Sequence, residues 1–154
     1  MTHANHTALA PILVAVDGSA ESAEALRWAA SQAQTTGSDL KVITCYRHHY
    51  VQGEAPFVSW DQFESTKRSA QTRALDVIES VLGTDDVDHT LTLGPVDAAL
   101  IDHGRDASMI VIGTRSSFGL PDTSRPSTTD RVTGKVRCPV VSIPLDTAVL
   151  EGAS

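Results

Sequence analysis

The feature that most constrains this chain is a series of short, unbroken apolar runs, each closed by turn residues and separated by helix-patterned stretches. The first is Pro11-Ile12-Leu13-Val14-Ala15-Val16, closed by Asp17-Gly18-Ser19. A strand with one wet face would alternate, whereas an unbroken run suits a strand buried on both faces, as in a parallel sheet. A helix is expected next. Ser19 can cap it, Glu21 favours its first turn, Ala23, Leu26, Ala30 and Ala33 recur at helical spacing, and Gly37 ends it. Leu40 to Tyr46 reads as the second strand. After the less regular stretch from Arg47 to Ser59, Trp60 to Leu82 is the longest helical pattern. Phe63, Lys67, Ala70, Ala74, Val77, Ile78 and Val81 fall near one face of it, and Gly83 ends it. Val87 to Leu93 alternates apolar and polar residues, which suits a strand nearer a sheet edge. Val96, Ala99, Leu100 and His103 outline a short helix stopped near Gly104. Met109 to Ile112 is a fourth strand ending at Gly113. A polar stretch, Thr114 to Arg125, has few apolar anchors beyond Phe118 and Leu120, and mobility is expected there. A helix from about Ser127 to Val136 and a last strand, Val140 to Ile143, complete the pattern, with Pro144 closing it.

Strand and helix therefore alternate throughout. That order predicts an α/β fold, a parallel sheet with helices on both faces and right-handed crossovers. A chain of 154 residues suits one domain, in which a core buries about 70% of the unfolded surface. The expected domain is 8–146, with flexible tails at 1–7 and 147–154. Net charge is −7, and Lys and Arg are scattered rather than gathered in a stripe, so no nucleic-acid partner is expected. Met1 to Ala10 lacks a basic and apolar leader, and no apolar run approaches the roughly 18 residues of a membrane span. A cytoplasmic protein without a membrane partner is the expectation. Cys45 and Cys138 stand beside apolar runs without metal or redox spacing, which favours buried thiols. Adjacent residues such as His48 and His49 rarely converge on one ion, so no metal site is expected. His89 falls within the strand alternation and reads as a partly buried strand residue.

In open α/β sheets, ligands bind beyond the carboxyl ends of strands, where strand order reverses. Asp17-Gly18-Ser19 and the Gly113 region are the turns that would lie there. Asp17 could accept hydrogen bonds from a ribose or base, or could close the strand–helix corner as an ordinary turn residue. Gly113 could let backbone N–H groups approach a phosphate. Ser127-Thr128-Thr129-Asp130 resembles a capping box, which explains the quartet by structure, with phosphate binding as the other reading.

At these residues the sequence resembles the universal stress proteins. The resemblance rests on Ile12 to Ser19 followed by Ser22 and Ala25-Leu26, on Gly94-Pro95, on Met109 to Arg115 followed by Gly119-Leu120, and on Cys138-Pro139-Val140-Val141. It implies a Rossmann-like, adenine nucleotide alpha hydrolase-like fold: a five-stranded parallel sheet ordered 3-2-1-4-5, with Asp17 and Gly113 at the switch point. ATP-binding members carry Gly, two residues, Gly, nine residues, then Gly and Ser or Thr. Here Gly113 holds the first position and Ser127 the last, but Ser116 and Pro126 stand where the other two glycines belong. Serine resists positive φ, and proline has no N–H to donate.

The resemblance thus implies nucleotide-binding positions at Asp17, Cys45, Gly113, Ser116, Ser127 and Thr128, with the nucleoside half intact and the phosphate half damaged. ATP or another adenine nucleotide is expected to bind weakly, if at all. The resemblance also implies a homodimer paired through Val140, Val141, Ser142 and Ile143. The expected function is a non-enzymatic stress-response regulatory module with a protein partner that the sequence does not name; the alternative is an ATP-dependent switch. An enzyme is the weakest reading, since no Gly-x-x-x-x-Gly-Lys-Ser/Thr loop or catalytic constellation is present.

Overall fold

The computed structural model describes residues 10–47, 59–115 and 127–145. Ser116, Pro126, His48, His49, most of the two irregular loops and the tails expected to be flexible lie outside the described residues. In chain order the elements are β1 (Ile12–Ala15), α1 (Ala20–Thr36), β2 (Leu40–Tyr46), α2 (Trp60–Leu82), β3 (Asp88–Leu93), α3 (Val96–His103), a 3-10 turn (Gly104–Asp106), β4 (Met109–Arg115), α4 (Thr128–Thr133) and β5 (Val140–Leu145). The strands form one sheet ordered β3-β2-β1-β4-β5. Every pairing is parallel.

Alternation along the strands divides the core in two. Ile12, Val14, Val42 and Val111 face α1 and α2, where they meet Ala25, Leu26, Ala29, Ala74 and Ile78. Leu13, Ile43, Ile110 and Ile112 face the other way, toward Leu100 of α3 and Val132 of α4. The continuous apolar runs are explained by this double burial, since neither face of the central strands is wet. Each fully buried Leu, Ile or Val contributes about 1.5–3 kcal/mol, so these strands carry much of the stability.

Three features depart from the sequence pattern. The buried stripe of α1 is Ser22, Ala25, Leu26, Ala29 and Ala33, while Ala23 and Ala30 are only partly buried. Alanine is small enough for either face, so alanine spacing alone does not orient a helix. The last helix is shorter than Ser127 to Val136: α4 stops at Thr133, with Gly134 beyond it. Finally, β4 does not end at Ile112 and β5 does not end at Ile143. Their pairing continues through Gly113↔Ile143 and Thr114↔Pro144 to Arg115↔Leu145. Proline inside a strand is tolerated because β5 is an edge, where a missing ladder donor can face away from the sheet. β3 is the opposite edge, as its alternating sequence predicts, although His89, Thr90, Leu91 and Thr92 are all partly buried.

α2 shows how local sequence places an element. Ser59 accepts from the Gln62 N–H and the Gln62 side chain accepts from the Ser59 N–H, both at 3.1 Å. This reciprocal cap starts the helix, and Gly83, at φ 75°, ends it in the left-handed conformation.

Candidate functional site

The sheet divides at its middle. Pairing of β1 with β4 ends at Val14↔Val111, although β4 stays paired with β5 for four more residues. β1 then leads into α1 on one face, and β4 leads toward α4 on the other. The gap between the two departing chains is a cleft of about 280 Å³. Its apolar lining is Ala15, Val16, Ile43, Val96 and Ile112, and its polar lining includes Asp17, Ser19, Ser22 and Thr128. Small, mostly apolar concavities with a few convergent polar groups at a switch point are ordinary ligand sites.

The Asp17 turn is tightly bonded. Its Oδ1 accepts from the Ser19 N–H at 2.9 Å and from the Ser19 hydroxyl at 2.5 Å. The Asp17 N–H donates to Ser22 Oγ at 3.3 Å, and that hydroxyl donates to the Ser19 carbonyl at 2.9 Å. Ser19 Oγ also accepts from the Ser22 N–H at 3.2 Å, capping α1. Partial burial pushes the Asp17 carboxyl up, but the hydrogen bonds from Ser19 and Ser22 outweigh it and hold the group below its ordinary 3.8. Asp17 therefore closes the turn and also lines the cleft. Gly18 adopts φ 93°, and a Cβ there would lie 2.9 Å from the Arg73 Cβ of α2. Glycine is needed on both counts.

Gly113 has a different role from that of a loop residue. It is a strand residue on which the first turn of α1 rests: a Cβ would lie 2.1 Å from the Glu21 carbonyl oxygen and 3.0 Å from the Ser22 nitrogen. Its bare backbone sets how closely α1 approaches β4 and hence the width of the cleft, which Gly113 also lines. Cys45 lies on the cleft floor from β2. Burial pushes its thiol up to about 11, with Arg47 opposing and Asp97 adding to the shift. At neutral pH it is an uncharged, unreactive thiol. Thr128 reaches the cleft as the first residue of α4. Ser127, beside it, caps α4 by accepting from the Asp130 N–H at 3.0 Å, while an Asp130 carboxylate oxygen accepts from the Ser127 N–H at 3.2 Å. Ser127 does not line the cleft in the way Thr128 does.

Ser19 lines the cleft with the turn that the sequence placed there, whereas Arg47, Ser22, Glu21, Gly94 and Val96, which also line it, were not expected. Position carries a signal that would have found two of them. Arg47 immediately follows β2 and Gly94 immediately follows β3, at the carboxyl ends where ligands bind. His89 lies on β3, with Nε2 2.8 Å from the buried Thr44 hydroxyl. Burial pushes its pKa below 6.5 against the pull of Asp88, as befits a partly buried strand residue. Among the described residues no group of three or more His, Cys, Asp or Glu converges as a metal site, and no helix is long and apolar enough to cross a membrane.

The model of the universal stress protein family matches residues 9–144 of the chain. No curated protein matches it. Among solved structures, a protein of that family from Burkholderia pseudomallei is similar at 25% identity and TM-score 0.58, over 88% of this chain and 96% of that one. UspA from Lactobacillus plantarum is 20% identical with TM-score 0.64, over 87% of this chain and 97% of the other. The universal stress protein from Archaeoglobus fulgidus in complex with dAMP is 22% identical with TM-score 0.52, again over 87% and 97%.

Proposed function

Because the chain belongs to the universal stress protein family, we propose that it is a non-enzymatic regulatory module whose cleft takes the nucleoside part of an adenine nucleotide and holds polyphosphate poorly. The observation that carries this reading is the convergence of Asp17, Cys45, Gly113 and Thr128 on one switch-point cleft of about 280 Å³. That volume lies near the small end of ligand pockets. The relative from Archaeoglobus fulgidus, solved in complex with dAMP, is consistent with a nucleoside and one phosphate.

Two arguments speak against tight ATP binding. Among the described residues the charged groups that line the cleft are Asp17, Glu21 and Arg47, and the Asp17 carboxylate opposes a triphosphate there. The second is chemical. Pro126 has no N–H, and Ser116 adds a side chain where the family pattern has glycine. Each charge-assisted N–H to phosphate is worth about 1.5–3 kcal/mol, so losing one and crowding another weakens ATP by about a hundredfold or more. Calorimetry with adenosine and ATP tests this on the wild type and on Ser116→Gly combined with Pro126→Gly. Adenosine should bind the wild type at least as tightly as ATP, and the double variant should gain ATP affinity. Low-micromolar ATP binding by the wild type would overturn the reading and favour a nucleotide-dependent switch.

The same reading includes a homodimer through β5. Ile110 donates to the Pro139 carbonyl at 2.9 Å, so in a parallel ladder Val141 and Ile143 bond inward. Val140 and Ser142 then turn their N–H and C=O groups to the open edge. Antiparallel pairing of Val140 to Ile143 with a second copy would satisfy them. A monomer in light scattering at micromolar concentration would refute it.

A further inference from the structure

The end of the sheet opposite the cleft holds a second concavity, of about 350 Å³, no smaller than the first. Three cations line it, Arg105, Lys135 and Arg137, over the apolar side chains of Ile101 and Val136. Two separate segments supply them: the 3-10 turn after α3, and the chain between α4 and β5. These segments are packed together. Ile101, Val136 and Cys138 lie against the same core cluster, and the Cys138 thiol reaches the Gly104 carbonyl at 4.0 Å. In a chain of net charge −7, three cations around one hollow are not needed for solubility, and a concave cluster of one sign concentrates the opposite charge.

We propose that this hollow is a binding site for a small phosphomonoester carrying an apolar group, independent of the nucleotide cleft. The guanidinium forks of Arg105 and Arg137 suit phosphate oxygens, Lys135 adds a point charge, and Ile101 with Val136 shelters the apolar part. The neighbouring carboxylates compete only weakly. Asp102 lies 4.0 Å from Arg105 with both side chains more than two-thirds exposed, and Asp106 is an exposed residue of the same turn. No carboxylate among the described residues pairs with Lys135 or Arg137. The negative ends of α3 and α4 face the same way and draw part of the charge of Arg105 and Lys135. Arg137, four residues past the end of α4, is beyond that reach.

The test is amide NMR of the full chain titrated with phenyl phosphate and, separately, with inorganic phosphate. Saturable shifts should centre on Ile101, Arg105 and Val136. Phenyl phosphate should bind several-fold more tightly than inorganic phosphate, and physiological salt should weaken both. Lys135→Gln combined with Arg137→Gln replaces exposed side chains and should weaken phenyl phosphate about tenfold or more, whereas Arg47→Gln in the cleft should leave these shifts in place. Three results would overturn the proposal: no saturation at millimolar ligand, equal binding by the double variant, or shifts that vanish with Arg47→Gln. A double variant that only loses thermal stability, in a wild type that binds neither anion, would mean the cations serve the helix ends.

Discussion

Two chains leave the sheet at its switch point, and both run into a helix capped by serine. From β1, the link to α1 is the short Val16-Asp17-Gly18-Ser19, and the helix that follows runs seventeen residues with five of them buried. From β4, the helix that follows is six residues long and buries only Val132. The caps are alike in chemistry: Ser19 accepts from the Ser22 N–H at 3.2 Å, and Ser127 from the Asp130 N–H at 3.0 Å. The difference lies in what stands behind them. The first junction is locked by a carboxylate clamp, two close backbone approaches and a buried helix face. The second has its capping box, the single buried Val132, a Thr129–Ser142 hydroxyl contact at 2.8 Å and an Arg131–Asp97 ion pair at 3.7 Å. Similar cap chemistry can therefore start a long helix with a buried face or a short one with a single buried side chain, and Asp17 of the cleft belongs to the first.

The sharpest way to break this contrast is Gly113→Ala. The new Cβ would fall 2.1 Å from the Glu21 carbonyl oxygen, against helix backbone that cannot rotate away. We expect α1 to be pushed off β4 at a loss of about 3 kcal/mol or more, read by urea unfolding. Gly18→Ala comes next. At φ 93°, beside the Arg73 Cβ, it should lose roughly 1–2 kcal/mol. Gly134→Ala is the counterpart at the end of α4. With φ −81° and open space around it, alanine should be neutral or gain about 0.4–1 kcal/mol. Equal losses at Gly18 and Gly134 would mean that neither the left-handed φ nor the Arg73 contact sets Gly18 apart.

The caps themselves give a smaller effect. Ser19→Ala should lower global stability by about 1 kcal/mol, as loss of an N-cap ordinarily does. Ser127→Ala should speed amide exchange within α4 while leaving the unfolding midpoint nearly unchanged, because so little of α4 is buried. The smallest expected effect is on pH. Asp17 titrates below its ordinary 3.8 in the folded chain, so its contribution is complete above that pH and is lost as acidity carries the folded group through its own pKa. Acid unfolding of Asp17→Asn, compared with wild type, should show the stability difference narrowing below about pH 3.8. A constant difference down to acid unfolding would mean that the charge of Asp17 plays no part in the clamp.

Much of the fold could be read from local pattern. β2 and α2 begin and end where their residues predict, because turn residues bound the apolar run of one and a capping box and a left-handed glycine bound the other. Cleft positions Asp17, Cys45, Gly113 and Thr128 came from the resemblance and the switch-point rule together. Less legible were Arg47 just past β2, Ser22 of α1 and Val96 of α3, which meet only when the sheet forms. Local pattern also stopped β4 and β5 too early. Gly113 and Pro144 read as breakers, and their tolerance depends on neighbours far along the chain.

What the sequence determined by itself is therefore the set of elements, the parallel sense of the sheet and the chemistry available at each turn. Those follow from hydrophobic runs, caps and backbone preferences that act over a few residues. Tertiary structure alone decided which face α1 buries, that Gly113 is a seat for the helix rather than a loop, and that cations from two segments surround one hollow. Each depends on two backbones meeting at van der Waals distance, and spacing along one chain does not encode how closely another chain will approach.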